Sequence, residues 1–349
     1  MCLWRNSTYE LDTFAPSVLH PIAMIEIPIH LLASYIVIFK TPPTMAKVKW
    51  MMMVMHFCGA FLDLLLSVLS TQYYLVPVVG GYMRGIFTDL GVSSIIQGHV
   101  FTVSLCVAGV SILGFFESRY HAVVKRNRES IFKSKRRLFY VMFHYVYGFT
   151  FTLPLLIHPP DQIEARKMAK EALPCVPHSI IDHTEFYVFV EEPYIFAIYY
   201  GITAAVLTSQ AVYYFARTAL YLSSNKAKSQ RTHKLQVQFF IALTFQIAIP
   251  LCVVILPVAY IITAFITKHF DQIANNIALN FIAIHGLVSS TVMLIAHKPY
   301  REAVGNIFRL RCTWERCHRR PLNSISDQSL MVVSSVVVIR RVSRISSRI

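Results

Sequence analysis

The sequence predicts an all-α membrane protein in which seven transmembrane helices form one bundle. Of its 349 residues, 55% are hydrophobic and only 15% are charged, whereas about a quarter of the residues of an average soluble protein are charged. Long apolar segments recur along the chain, and the basic residues are concentrated in alternate connections between them. These observations favour a polytopic membrane protein over a soluble one.

The apolar segments are each close to the ~20 residues that an α-helix needs to cross a bilayer. They lie at residues 17–39, 50–70, 93–116, 138–157, 193–215, 236–267 and 274–296. Because hydrocarbon offers backbone amides no hydrogen-bond partner, we expect all seven to be helical. The first is interpreted as a signal anchor, since it runs too long for a cleaved signal peptide. The long sixth segment is expected to tilt or to extend past the membrane.

The distribution of Lys and Arg predicts the orientation of the bundle. Of the 33 basic residues, 27 lie in the connections after segments one, three and five or beyond segment seven. Since cytoplasmic loops carry the excess of basic residues, the N-terminus is predicted outside and the C-terminus in the cytoplasm. The net charge of +15 is divided among loops rather than gathered on one face, so no nucleic-acid partner is predicted. The sequon Asn6-Ser7-Thr8 falls on the predicted outer side, which makes Asn6 a candidate glycosylation site.

Four regions follow from this topology. They are an extracellular N-terminus (1–16), the seven-helix bundle (17–297), an amphipathic helix (298–312) and a disordered cytoplasmic tail (313–349). The amphipathic helix is predicted as a short interfacial eighth helix, because its apolar residues share one side and its arginines can reach lipid headgroups. Cys312 and Cys317 follow it as candidates for palmitoylation or as two reduced thiols. The tail is basic and serine-rich, which is typical of disorder.

Several stretches resemble one family of receptors. They are IPIHLLASYIVIFKTPPTMAKVKW (27–50), FLDLLLSVL (61–69), GFFESRY (114–120), DQIEAR (161–166), LPCVP (173–177), FQIAIPLCVVILP (245–257) and HGLVSSTVMLIAHKPYR (285–301). Together they are similar to the nematode serpentine receptor class h chemoreceptors over about residues 20–305. The resemblance implies a G-protein-coupled receptor fold and a chemosensory receptor in a ciliated neuron. Its implied partners are a small-molecule cue, a heterotrimeric G protein and membrane lipids, and a receptor dimer is left open.

The end of the third segment is where the resemblance places the G-protein switch, formed by Glu117, Arg119 and Tyr120. In rhodopsin-like receptors an acid and a base are adjacent at this helix end, but Ser118 separates them here. Residues two apart do not face each other on a helix. Arg119 is therefore expected to pair with another helix, or Glu117 with a base of the following loop. The alternative is interfacial anchoring by charged residues.

Two acids lie well inside predicted helices. A charged group at the bilayer centre costs roughly 2.5–3.5 kcal/mol on insertion scales, so both are expected to face the bundle interior. Asp63 lies where rhodopsin-like receptors keep an aspartate that can hold sodium, with Asn280 and His285 as candidate partners. The alternative is a protonated Asp63 that serves packing alone. Glu26 is expected to have a structural role, with a ligand cavity or Lys268 as the alternative.

Two prolines, Pro250 and Pro257, interrupt the sixth segment. Prolines kink membrane helices, and a kinked sixth helix would act as a lever for an outward swing. The alternative is a static shape. Tyr300 and Arg301, from the PYR sequence after the seventh segment, complete the residues that the resemblance assigns to the switch.

Two further expectations concern the outer side of the bundle. Residues 80–100 contain no cysteine, so Cys175 cannot form the bond to the third helix that is usual in rhodopsin-like receptors, and a Cys2–Cys175 disulfide or a free thiol remains. A ligand is expected among helices 3, 5, 6 and 7. The polar and aromatic candidates for its pocket are Gln97, Tyr199, Tyr200 and Gln246.

The sequence predicts no enzyme, cofactor or metal site. It contains no CxxC or HExxH pattern and no glycine-rich phosphate loop. The rival functions are a secondary transporter and a ligand-gated channel. A transporter would show two related halves and more intramembrane charge, and neither is visible.

Overall fold

The computed structural model describes residues 2–42, 45–125, 134–191, 193–224 and 230–318. The chain divides into two compact units, Met1–Glu302 and Ala303–Ile349. The first unit is a bundle of long helices with a small folded cap at one end. The predicted tail from residue 319 onward lies outside the described residues, as does much of the basic connection after the third helix.

All seven predicted segments are helical. The long helices are α1 (Phe14–Lys40), α2 (Ala46–Leu64), α3 (Ser94–Val123), α4 (Lys135–Thr150), α5 (Pro193–Ser224), α6 (Gln230–Thr267), α7 (Gln272–Ala283), α8 (His285–Ala296) and α9 (Lys298–His318). Shorter helices at Ile86–Asp89, Gln162–Ala172 and His178–Ile181 belong to the cap. Among the described residues, five stretches are long and apolar enough to cross a membrane, and α7 with α8 count as one of them. The remaining spans are α4, continued by a short helix at Leu153–Ile157, and the 32-residue α5.

Three helices continue past the apolar segments that predicted them. The segment ending at 116 continues as α3 to Val123, the segment ending at 215 continues as α5 to Ser224, and α6 begins at Gln230 rather than 236. Hydropathy marks only the part of a helix at membrane depth, whereas Lys, Arg and Gln are good helix formers beyond it. Residues 114–120 therefore lie inside α3, close to its end.

Two backbone irregularities lie at similar depth in the bundle. The end of α2 is a π-helical turn, Leu65–Leu69, and the seventh span is interrupted at Ile284, between α7 and α8. The Ile284 amide still donates to the carbonyl oxygen of Asn280 at 3.2 Å. By contrast, α6 is a continuous helix through Pro250 and Pro257, both of which lack the N–H that an α-helix uses.

The cap contains strands that the sequence analysis did not predict. A three-stranded antiparallel sheet joins β2 (Thr71–Leu75), β3 (Gly80–Arg84) and β4 (Tyr187–Val188), while β1 (Cys2–Leu3) pairs with β5 (Phe270–Asp271). Tyr73 and Tyr82 pair across the β2–β3 hairpin, as aromatic side chains commonly do in sheets. Gly81 is required there, because a Cβ would overlap the carbonyl oxygen of Tyr73. Such short strands carry too weak a pattern to separate them from loop sequence.

The cap is held together by a covalent bond and by polar contacts. Cys2 and Cys175 form a disulfide with a Cα–Cα distance of 5.8 Å, which is one of the two alternatives that the sequence left open. Arg5 donates two hydrogen bonds to the Asp271 carboxylate, at 2.9 and 2.7 Å, and so holds the pKa of Asp271 below its usual value. Arg166 donates to four backbone carbonyls of residues 181–186.

These contacts define the N-terminal face of the bundle, the face formed by residues 2–13, 71–92, 161–191 and 268–271. The opposite end, where α1 ends and α9 begins, is called the C-terminal face below. The cap encloses its own apolar core, which includes Tyr73, Ile181, Phe186 and Phe270, each 2% exposed or less. The N-terminal segment is thus part of the folded cap.

Helix α9 runs to His318, whereas the sequence predicted its end at residue 312 and disorder from 313. That prediction is wrong for residues 313–318. The physical reason lies in the sequence TWERCH, which contains no proline or glycine to end a helix; the next such residue is Pro321.

We expect Cys175→Ser to destabilise the cap. Loss of a native disulfide typically costs about 2–4 kcal/mol, so the thermal midpoint of the purified protein should fall by several degrees. In the wild type, a membrane-impermeant maleimide should not label Cys2 before reduction, and in the variant it should. Labelling of unreduced wild-type protein at Cys2 would contradict the disulfide. Cys252→Ser, at an exposed free cysteine, is the matched control.

Candidate functional site

At the C-terminal face, Glu117 is paired with the first turn of α4. Arg137 donates from Nε to Oε1 at 2.7 Å and from a terminal nitrogen to Oε2 at 2.9 Å. Both side chains are nearly inaccessible, at 2% and 8% exposure. This bidentate pair neutralises the acid, and it is the alternative in which Glu117 reaches a base beyond α3 rather than Arg119.

Arg119 lies two residues further on, in a different environment. Its guanidinium stacks on the ring of Phe239 in α6, 4.2 Å from the ring centroid, and the residue is only 8% exposed. Within the part of the chain that the structure describes, Arg119 Nε has no hydrogen-bond partner. Arg119 thus joins α3 to α6 through a cation–π contact.

Tyr300, another residue of the predicted switch, lies near this contact together with His297 and Gln246. The His297 ring lies 5.2 Å from Phe239 and 5.3 Å from Tyr300, and its Nε2 is 3.1 Å from Gln246 Oε1. Tyr300 is completely buried, with its hydroxyl 3.0 Å from Thr41 Oγ1 at the end of α1. These contacts connect α1, α6 and the end of α8.

Two other predicted switch residues, Tyr120 and Arg301, make different contacts. Tyr120 packs against α5, with its ring centroid 5.4 Å from that of Tyr214. Arg301 is exposed and donates to the carbonyl oxygen of Ile295 at 2.8 Å. Arg301 is therefore available to solvent or lipid.

A second polar centre surrounds Asp63, which is fully buried in α2. Its Oδ1 accepts a hydrogen bond from the Gly286 amide at 3.1 Å and lies 3.3 Å from His285 Nδ1. A Cβ on Gly286 would overlap the Asp63 carboxylate, so only glycine permits this approach. Asp63 therefore contacts the first turn of α8, directly after the interruption at Ile284. Of the two predicted partners, His285 lies beside it, and Asn280 lines the neighbouring cavity.

The same centre includes Glu26 and His30 of α1. His30 Nε2 is 3.3 Å from Glu26 Oε1 and 3.2 Å from Asp63 Oδ2. The structure thus places Glu26 beside Asp63, away from the ligand cavity or Lys268 considered above. Sequence analysis treated the histidines singly, although the spacing E-x-x-x-H puts Glu26 and His30 on one helix face. That pairing is the signal it missed, and the three groups together are a candidate metal centre.

The four predicted pocket residues are not brought together. Gln97 is 1% exposed and anchors the cap, accepting a hydrogen bond from Ser70 Oγ at 2.7 Å. Tyr199 donates to the carbonyl oxygen of Phe151, and its neighbour Tyr200 packs against the Phe151 ring. Gln246 lies near the C-terminal face with His297. A polar residue in an apolar segment predicts burial but not depth, so a ligand pocket formed by these four residues stays a prediction.

A narrow cavity opens beside the cap instead. It is lined by Thr71, Gln72, Asn280 and the apolar residues Leu19, Leu66, Phe101, Leu279, Ile282 and Ala283. Its volume is about 10 Å³, roughly the space that the centre of one water molecule requires. Among the described residues, Thr71 Oγ1, Gln72 Oε1 and Asn280 Oδ1 are buried without a hydrogen-bond partner. The cavity therefore presents three unsatisfied oxygen atoms.

Comparison with known proteins gives consistent matches. Residues 10–310 match the family described as "Serpentine type 7TM GPCR chemoreceptor Srh". Over 298 residues, the chain is 25% identical to "Serpentine receptor class H-72" of Caenorhabditis elegans. That alignment covers 82% of this chain and 83% of the relative.

We expect Gly286→Ala to destabilise the bundle. The new methyl group must displace the Asp63 carboxylate, and overpacking of this kind costs roughly 1–3 kcal/mol. The matched control is Gly59→Ala in α2, where a Cβ would meet no atom within 4 Å; it should be neutral or stabilising by up to about 1 kcal/mol. Thermal midpoints of the two purified variants test this. Equal midpoints would show that α8 does not approach Asp63 this closely.

The Glu117–Arg137 pair should show strong coupling. Arg137→Met leaves a buried carboxylate unneutralised and is expected to cost about 3–5 kcal/mol. The double variant Glu117→Gln/Arg137→Met removes both charges and should be more stable than Arg137→Met alone. Lys167→Met, which breaks the exposed pair with Glu164, should cost less than about 1 kcal/mol. A loss of unfolding free energy in the double variant equal to the sum of the losses in Arg137→Met and Glu117→Gln would exclude a direct pair.

Proposed function

Because the chain belongs to the Srh family of serpentine seven-transmembrane chemoreceptors, we propose that it binds an extracellular small molecule within its helix bundle and activates a heterotrimeric G protein. The observation that carries the coupling half of this proposal is the buried stacking of Arg119 on Phe239. It joins α3 to α6 at the C-terminal face. Separation of these two helices would expose a guanidinium group at the position where a G protein would enter.

The contact between Arg119 and Phe239 is weak enough for ligand binding to break it. A cation–π pair contributes about 0.5–2 kcal/mol, more where it is desolvated. A ligand shifts an equilibrium only by its differential affinity for the two states. A coupling free energy of 1–3 kcal/mol, which is typical of allosteric proteins, would be enough to break the stack. Glu117, already neutralised by Arg137, need not separate from Arg119 when the helices part.

The ligand half of the proposal draws on the cavity at Thr71, Gln72 and Asn280. Its unsatisfied oxygens favour a ligand that donates hydrogen bonds, and its apolar lining favours a small and largely hydrocarbon body. A volume near that of one water molecule means that such a ligand must push the surrounding helices apart. Asn280 lies one turn before the interruption at Ile284, so this displacement would reach the segment that contacts Asp63.

The topology of the proposal places the N-terminal face outside the cell and the C-terminal face in the cytoplasm. The plasma membrane of a sensory cilium is the proposed location. In that topology Asn6, which is exposed, is available for glycosylation, and Cys312 and Cys317 are available for palmitoylation. Residues 225–229 lie outside the described residues. They include Lys226, which is proposed to contribute to the G-protein face.

Signalling assays on expressing cells test the proposal with two opposite substitutions. Arg119→Ala should abolish ligand-evoked G-protein activation at unchanged surface expression. Phe239→Leu removes the ring under Arg119, and a loss of about 1 kcal/mol should raise basal activation roughly fivefold. Phe143→Leu, at an exposed phenylalanine of α4, is the matched control and should behave as wild type.

The ligand is found with a panel of small molecules, read by G-protein activation. An unchanged response in Arg119→Ala would remove this residue from coupling. Ligand-evoked current in membranes free of G proteins would replace the receptor proposal with a channel.

A further inference from the structure

The polar centre of α1 and α2 contains two carboxylates whose nearest basic groups in the described residues are histidines. Glu26 and Asp63 are both fully buried. In the described part of the chain, Glu26 Oε2 and Asp63 Oδ2 lack a hydrogen-bond partner. Ligating atoms of Glu26, His30 and Asp63 all lie within 4.8 Å of one another. Two carboxyl groups in an apolar bundle are stabilised either by protonation or by a compensating cation.

The protonation of His30 follows from its neighbours. His56 Nε2 lies 3.2 Å from the carbonyl oxygen of His30, which can only accept, so the His56 proton is on Nε2. A neutral His56 then accepts at Nδ1 from the Ser290 hydroxyl, 3.4 Å away. With its proton so used, Ser290 Oγ accepts from His30 Nδ1 at 3.0 Å. His30 therefore carries its proton on Nδ1.

In a neutral His30 this tautomer leaves a lone pair on Nε2, which lies beside two carboxylate oxygens. The distances of 3.3 Å to Glu26 Oε1 and 3.2 Å to Asp63 Oδ2 bring three electron-rich atoms together. Zn²⁺ binds His nitrogen and carboxylate oxygen at about 2.0–2.2 Å, and the edge of such a tetrahedron is about 3.3–3.5 Å. The two separations from His30 Nε2 therefore match edges of such a tetrahedron, and the ligating atoms of Glu26 and Asp63 lie within 4.8 Å of each other.

The ligand type and the charge both select among cations. Imidazole nitrogen suits zinc and its neighbours in the first transition row, whereas sodium and magnesium prefer oxygen ligands alone. One divalent ion with two carboxylates and a neutral imidazole has no net charge. The hydrogen bond from His30 Nδ1 to Ser290 would act as the outer-shell contact that orients a metal-bound histidine.

We propose that Glu26, His30 and Asp63 bind a divalent transition-metal ion of the Zn²⁺ class. The ion joins α1 to α2, and through Asp63 Oδ1 it fixes the carboxylate that holds the first turn of α8. Its fourth coordination position is left for water or for a group that arrives on rearrangement. This inference does not depend on the proposed function, because metal content and thermal stability report on it without any ligand or G protein.

The test uses the full-length protein purified in detergent, stripped with a chelator and reloaded with Zn²⁺. After removal of unbound metal, mass spectrometry should find about one zinc per chain. The thermal midpoint should rise with Zn²⁺ and should not rise with Na⁺ at the same ionic strength. His30→Gln and Glu26→Gln should each lose most of the bound zinc and the Zn²⁺-dependent rise. His144→Gln, at a buried histidine of α4, is the matched control and should retain both.

Several results would overturn the proposal. They are a zinc content near zero in reloaded wild-type protein, full binding by His30→Gln, and a midpoint that rises with Na⁺ alone. Asp63→Asn is not used, because Asp63 also holds Gly286. Should the variants fail to fold, Co²⁺-loaded wild-type protein decides the question. The visible absorption of a four-coordinate cobalt site supports the proposal, and its absence refutes it.

Discussion

The buried carboxylate of Asp63 is the constraint on which the arrangement of the bundle depends. An acid at this depth is tolerated only if its surroundings satisfy it, because hydrocarbon cannot. Its oxygens face the Gly286 amide, His285 and His30, so three helical segments converge on one side chain. The glycine at 286, the interruption at Ile284 and the histidine on α1 all follow from that requirement. Asp63 thus acts as the junction between the first, second and seventh spans.

The C-terminal face contains two buried charged residues, Glu117 and Arg119, whose contacts differ in kind. Glu117 is matched by Arg137 with two hydrogen bonds, which makes that pair a stable joint between α3 and α4. Within the described residues, Arg119 Nε has no hydrogen-bond partner, and the guanidinium stacks on the face of an aromatic ring. The contact between α3 and α6 is therefore weaker than the contact between α3 and α4. A bundle that must open at one place would open there.

The sequence predicted the spans, the family and the disulfide alternatives, because each depends on local composition or on a short motif. It did not predict the cap, since the strand pattern of residues 71–84 is too short to stand out. It also missed the association of Glu26, His30 and Asp63. Two of these share a helix face, but the third comes from another helix, and only tertiary packing brings it within 3.2 Å. The depth of Gln246 could not be predicted either, because hydropathy gives no depth along a helix.

The connections at the two faces restrict how the seventh span can move. Its start is tied to the cap, where Arg5 binds Asp271 and Asn276 Nδ2 donates to the carbonyl oxygen of Tyr9 at 2.8 Å. The end of α8 leads into His297, which contacts Gln246 of α6. Since the disulfide and the Arg5 contacts hold α7 at the cap, a displacement of α8 with α6 has to be absorbed between them. Ile284 is the point where the helix is already interrupted, and Asp63 binds the residue pair that follows it. A change in the charge or partners of Asp63 would therefore act on the seventh span at the position where bending costs least.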